Sequence, residues 1–289
     1  MSEAKITLRD IHNVSLERTL SSFDHLAEMF RLKKVFIELL KEKEDLTHYP
    51  FDLGVKENQE IIKDFVGRIT EEFFEAHQVM DQIMVFVNEP MIIMTPETED
   101  LILGLIFDYN EELADLTHFM VEILILCGVG VHHIQKYYSA LCEPMQVEYD
   151  DIGDNDLDKI AYINRNMNIL GYLYAGSRVG LSFERKLSMH TMNIPYYTRG
   201  GMNLTNDTYS SALKMQLECI YNLNKVRMQL KMKKWRDNQE SLNMEAVTNF
   251  LLMAFDSMMR YFDLVGYNHN SIIICYLKKD AINITRLKN

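Results

Sequence analysis

TPETEDLILGLIFDYNEELADLTHFMVEILILCG, residues 95–128, reads as one long helix with both ends marked. Thr95 suits the N-cap, Pro96 fits the first helical position, and Glu97 places an acid in the first turn. Gly128 ends the run, because glycine takes the left-handed conformation that closes many helices. Inside it, Glu112 and Asp115 sit among Leu113, Ala114, Leu116, Phe119 and Met120. A charge buried there without compensation would be costly, so the two acids ask for an explanation.

Outward from this run the same periodicity continues. Helices are expected over about 17–45, where Leu20, Phe23, Leu26, Phe30, Val35, Ile37 and Leu40 recur at helical spacing, and over 58–87, before Asn88-Glu89-Pro90. A short helix is expected over 131–141, stopped near Pro144. The acidic stretch from Glu148 to Asp158 is the best candidate boundary, dividing units 1–147 and 148–289. Beyond it the pattern predicts helices over 158–174, 209–234, 243–265 and 271 to the end, with a long loop over 188–208.

Composition agrees with an all-α fold. Only 12 Gly and 5 Pro occur in 289 residues, too few for the many turns of a sandwich or a βαβ protein, while 19 Met suit helices and adaptable cores. The 30 Lys and Arg against 42 Asp and Glu give a net charge of −12, which disfavours nucleic acid as a partner. Cys127, Cys142, Cys219 and Cys275 are widely spaced with no CxxC, as expected of thiols in a reducing compartment. The opening residues, Met1 to Lys5, lack the apolar run of a signal peptide, and no stretch has the length of a membrane span. A cytoplasmic protein with no membrane partner is expected, in the host cytoplasm if the chain is viral.

A sparse internal repeat accompanies the symmetry of plan. Gly266, Ile272 and Tyr276 each lie 138 residues after Gly128, Ile134 and Tyr138, and each set follows a long apolar helix. Two related helical-bundle units forming an internal pseudo-dimer are therefore expected, as a monomer or a homodimer.

Two acid pairs carry the chemistry: Glu72 with Glu75, and Glu112 with Asp115. Residues three apart share a helix face, so two such pairs on neighbouring helices converge four carboxylates. Hard oxygen ligands suit Mg²⁺, or Mn²⁺. A single ExxE is also common on solvated helix faces, and that reading stays open for the first pair. No glycine-rich phosphate loop, nucleophile elbow or HExxH is present.

The two acid motifs together resemble the all-α nucleoside triphosphate pyrophosphohydrolases, the superfamily of MazG proteins, dimeric dUTPases and phage dCTP/dUTP pyrophosphatases. The wording Glu112-Leu-Ala-Asp115-Leu-Thr-His118-Phe119 looks like the ELxDxxHF of the dUTPase/dCTPase branch. Tyr276, Lys279, Asn283 and Arg286 match that branch's C-terminal YxxKxxxNxxR, and Asn164 with Asn168 resembles its LQxxLN with Asn in place of Gln. The resemblance implies Mg²⁺ on the four acids, triphosphate contacts from Lys279, Asn283 and Arg286, and base contacts from Asn164 and Asn168. It also implies hydrolysis of a deoxynucleoside triphosphate, dUTP, dCTP or a modified pyrimidine, to the monophosphate and pyrophosphate.

The chain departs from the family in a complementary way. At the 138-residue spacing Phe250 and Met253 stand in place of Glu112 and Asp115; off that spacing, Glu218 is the remnant expected of the second unit's first acid pair, with Tyr221 where its partner acid would be. Leu141, Met145 and Glu148 stand in place of Lys279, Asn283 and Arg286, with Lys33 and Ile37 at the first unit's amide positions. One composite site per chain follows as the expectation, with acids from the first unit and phosphate ligands from the second. A MazG-like hydrolase of purine or non-canonical nucleotides, and a catalytically inactive helical interaction protein, are the alternatives.

Overall fold

The computed structural model describes residues 22–44, 49–88, 95–166, 169, 205–231, 242–267 and 269–288. Among these residues the fold is all-α, with eight helices and no strand. In chain order they are α1 (Ser22–Glu44), α2 (Lys56–Asn88), α3 (Pro96–Leu126), α4 (Val131–Asp151), α5 (Asp156–Arg165), α6 (Asn206–Gln229), α7 (Met244–Leu264) and α8 (His269–Lys288). Among the described residues, no single helix is long and apolar enough to cross a membrane.

α3 is the central helix because its C-terminal half is apolar on every side. From Leu113 to Leu126 nearly every side chain is buried. Its N-terminus is built as the sequence predicts, with Thr95 accepting a bond from the Thr98 N–H and Pro96 at the first position. α2 runs antiparallel beside it: Phe65 meets Phe119 near one end, and Met80 meets Tyr109 near the other. α3 also carries α8 and α1. The α6–α7 pair packs onto α2, where the Gln216 amide donates to the Phe73 carbonyl at 3.0 Å, and onto α3, where Tyr109 and Tyr261 share a hydrogen bond of 2.5 Å. One hydrophobic core runs through all of this, from Leu26 and Phe30 on α1 to Ile272 and Tyr276 on α8.

The ends of α3 and α7 are closed by the same bonds, 138 residues apart. Val129 N–H donates to the Leu124 carbonyl, and Tyr267 N–H to that of Phe262, each at 2.8 Å. Gly128 and Gly266 both hold φ at 78°, which a side chain would strain.

Two sequence expectations differ from the structure. Pro144 does not stop α4, which continues to Asp151. An interior proline costs a helix about 3 kcal/mol, but Ile134, Tyr138, Met145 and Tyr149 bury one face on both sides of it. Burying such side chains contributes about 1.5–3 kcal/mol each, which outweighs the lost bond. The acidic stretch is consequently mostly helical, and the break narrows to 152–155, with Gly153 at φ 72° and Asn155 capping α5. The remainder of the 158–174 helix beyond Asn166, and the 188–208 loop up to 204, lie outside the described residues apart from Ile169.

Candidate metal centre

Glu72 and Glu75 stand one turn apart on α2; Glu112 and Asp115 stand one turn apart on α3. The antiparallel register of these two helices brings the pairs face to face. One carboxylate oxygen each from Glu72, Glu75 and Glu112 lies within 4.8 Å of the others. Among the described residues this is the one group of three acid, His or Cys side chains so placed. Asp115 is close enough for its charge to act on both Glu72 and Glu112.

Electrostatics register the crowding. Burial first, and then the charges of Asp115, Glu112 and Glu75, push the Glu72 carboxyl up to about 8. Glu112 is also raised, by burial and by Glu75, while a hydrogen bond from Glu72 and the charge of Lys279 act in the other direction. Glu72 therefore keeps a proton near neutral pH and donates it toward Glu112. A proton is the smallest cation that relieves such a cluster, and a divalent ion relieves it further. The donor set fits Mg²⁺ in kind, being all oxygen.

α8 reaches the centre from the far end of the chain. Lys279 Nζ lies 2.5 Å from Asp115 Oδ2, and both side chains are largely buried. The approach is held by the next turn of each helix. His118 stacks on Tyr276, with ring centroids 3.8 Å apart and planes 6° from parallel. Burial, and then the charge of Lys33, push the His118 imidazole down to about 2, so it is neutral. Its Nε2–H donates to the Tyr276 carbonyl at 3.1 Å. One turn further, Glu122 forms a buried ion pair of 2.6 Å with Lys33 on α1. Asp115, His118 and Glu122 thus form one stripe of α3 that binds α8 and α1.

The other residues singled out in the sequence fall in different places. Asn283 and Arg286 lie four and seven residues beyond Lys279 on α8, half-buried and exposed respectively. Arg286 is about 10 Å along the axis from Lys279 at 1.5 Å per residue. Neither makes an ion pair or side-chain hydrogen bond among the described residues. Asn164 lies in α5, but its side chain, like Asn168, is outside the described residues. α5 packs against α7. The described contacts of α5, such as the Tyr162 hydroxyl on Glu148, do not reach the four acids. His77 is half-buried between α2 and α6, 3.2 Å from the Tyr209 hydroxyl.

Three features escaped the sequence reading. Lys33 is the buried partner of Glu122, although Glu122 within an apolar run was the available signal. Lys279 pairs with an acid rather than standing free. Arg260 forms a second polar cluster, donating to Asp256 at 3.0 Å and to Asn166 at 2.7 Å. Comparison with known proteins finds no matching family model, no matching curated protein and no matching solved structure.

Proposed function

We propose that the chain is a Mg²⁺-dependent deoxynucleoside triphosphate pyrophosphohydrolase with one composite site, converting dUTP, dCTP or a modified pyrimidine nucleotide to the monophosphate and pyrophosphate. The observation that carries this reading is the meeting of Lys279 with Asp115. A residue of the C-terminal motif and a residue of the acid motif, 164 positions apart, share one place. One residue from each motif thus stands at one place, as a single phosphate-and-metal site would require.

In this reading Glu72, Glu75, Glu112 and Asp115 hold the metal. Bound Mg²⁺ supplies charge neutralisation at the phosphates and lowers the pKa of a coordinated water. The protein's own contribution is positioning. Lys279 offers a point charge to phosphate oxygens, and Asn283 and Arg286 extend that donor row along α8 toward solvent. The neutral His118–Tyr276 stack fixes the register of α8 against α3 without adding a charge that competes with the phosphates. Glu72, whose carboxyl is raised by burial and by the neighbouring acids, would release its proton on taking part in holding a cation. Attack at the α-phosphorus and departure of pyrophosphate need alignment more than covalent help.

The test is pyrophosphate release from a panel of deoxynucleoside triphosphates with Mg²⁺, comparing wild type with Glu112→Ala. Release from dUTP or dCTP that the substitution abolishes is the expected result. Release confined to purine nucleotides keeps the metal chemistry and overturns the pyrimidine assignment. A folded protein that releases nothing turns the reading to a helical interaction protein.

A further inference from the structure

We propose, on the metal-and-phosphate reading above, that Lys279 locks the acid cluster and that a phosphate anion opens the lock, so that metal and phosphate bind cooperatively. Three of the acids gather their oxygens within 4.8 Å of one another. Asp115, the fourth, pairs with Lys279 at 2.5 Å. Three acids thus share one place while the fourth is engaged by a lysine.

The pairing is built rather than incidental. Tyr276, one turn before Lys279, is held three ways: its ring by the His118 ring, its carbonyl by His118 Nε2–H, and its hydroxyl by the Met29 carbonyl at 3.2 Å. These bonds fix α8 in rotation and in height, which leaves the Lys279 stem facing Asp115. Lys278 beside it points to solvent. The Lys279 side chain is 17 % exposed, enough for its ammonium to turn outward without unpacking α8.

The exchange follows from charge. A lysine is a compact, flexible point charge, so it can leave a carboxylate for a phosphate that carries more negative charge. Asn283 lies one turn along the same helix, on the side from which a phosphate chain bound by α8 would approach. Once Lys279 turns to the phosphate, Asp115 is free to complete the oxygen set around the ion. Linkage then makes the effect reciprocal: phosphate raises metal affinity by the same factor as metal raises phosphate affinity.

The experiment measures Mn²⁺ binding by electron paramagnetic resonance, with free Mn²⁺ fixed by a metal buffer, in the presence and absence of inorganic phosphate. Wild type is compared with Lys279→Met, with Lys279→Gln, and with Lys278→Met as a charge-matched control. Phosphate is expected to tighten Mn²⁺ binding to wild type about tenfold. Both Lys279 variants are expected to bind Mn²⁺ about five- to tenfold tighter than wild type without phosphate, and to gain less than about twofold from it. The control should follow wild type. A Lys279 variant that matches the control in both affinity and phosphate response overturns the lock while leaving the metal centre intact. Failure of wild type and all variants to bind Mn²⁺, with and without phosphate, overturns the metal reading itself and the lock with it.

Discussion

The α2–α3 face and the α6–α7 face solve the same packing problem with opposite chemistry. Glu112, Asp115, His118 and Glu122 on α3 stand 138 residues before Phe250, Met253, Asp256 and Arg260 on α7. On α7 the acid has a cation of its own within the fold. Arg260 holds Asp256 one turn away and donates to Asn166 just past α5, while burial still raises the Asp256 carboxyl. On α3 the Glu122–Lys33 pair is closed in the same manner. The four acids at the other end of that stripe are not, for Lys279 is the one cation paired with them among the described residues. A closed ionic set serves the fold. An open one retains repulsion that folding alone would not select, and this difference directs attention to the α2–α3 face.

The sharpest way to break the comparison is to open the closed pair. Lys33→Ala leaves Glu122 buried without a partner and should lower unfolding free energy by about 3–5 kcal/mol in urea titration. Lys33→Met with Glu122→Leu should recover most of that loss, since a well-packed apolar pair replaces both charges. Recovery of nothing would mean that the pair also specifies the register of α1.

Next comes conversion of the α6–α7 face. Combining Tyr221→Glu, Phe250→Glu and Met253→Asp with the native Glu218 writes a second acid quartet into the chain. Tyr221 and Met253 are exposed and only Phe250 is half-buried, so lost Phe250 packing together with repulsion among the new acids should cost the metal-free variant about 2 kcal/mol. Mn²⁺ stoichiometry should rise from one to two per chain. A stoichiometry that stays at one would show that the two faces do not superpose.

A smaller effect belongs to pH. The folded Glu72 carboxyl titrates near 8, against 4.5 for the free side chain. The folded state therefore binds more protons across that window. The Glu72 contribution to stability is full below about pH 4.5 and is lost as pH rises toward 8, whereas buried neutral His118 acts in the opposite sense below about pH 6.5. Screening by solvent reduces this to about 1–2 kcal/mol. Glu72→Gln should flatten the decline, and so should added Mg²⁺. A wild type and a Glu72→Gln variant with the same pH dependence over pH 6.5–8 would contradict the crowding of the four acids.

The smallest effect sets the baseline. Arg31 and Glu28 form an exposed pair at 2.6 Å on α1. Arg31→Ala should change the melting temperature by less than about 2 °C, because solvent screens such exposed pairs almost completely. A large loss there would mean that α1 depends on its surface as much as on Lys33.

The sequence determined the elements and the acids. The limits of α2, α3, α7 and α8 follow from periodicity, from Thr95 and Pro96, and from Gly128 and Gly266, because caps and left-handed glycines act within a few residues of themselves. The spacing of Glu72 with Glu75 and of Glu112 with Asp115 is equally local, a property of one helical turn. Tertiary structure decided the rest. It carried α4 through Pro144, since burial of Tyr138, Met145 and Tyr149 is a long-range gain that no local rule contains. It chose Lys33 for Glu122, and it set Lys279 rather than Lys278 against Asp115. The rotation of α8 is fixed by His118, 158 residues from Tyr276 along the chain, and no property of α8 alone specifies that angle.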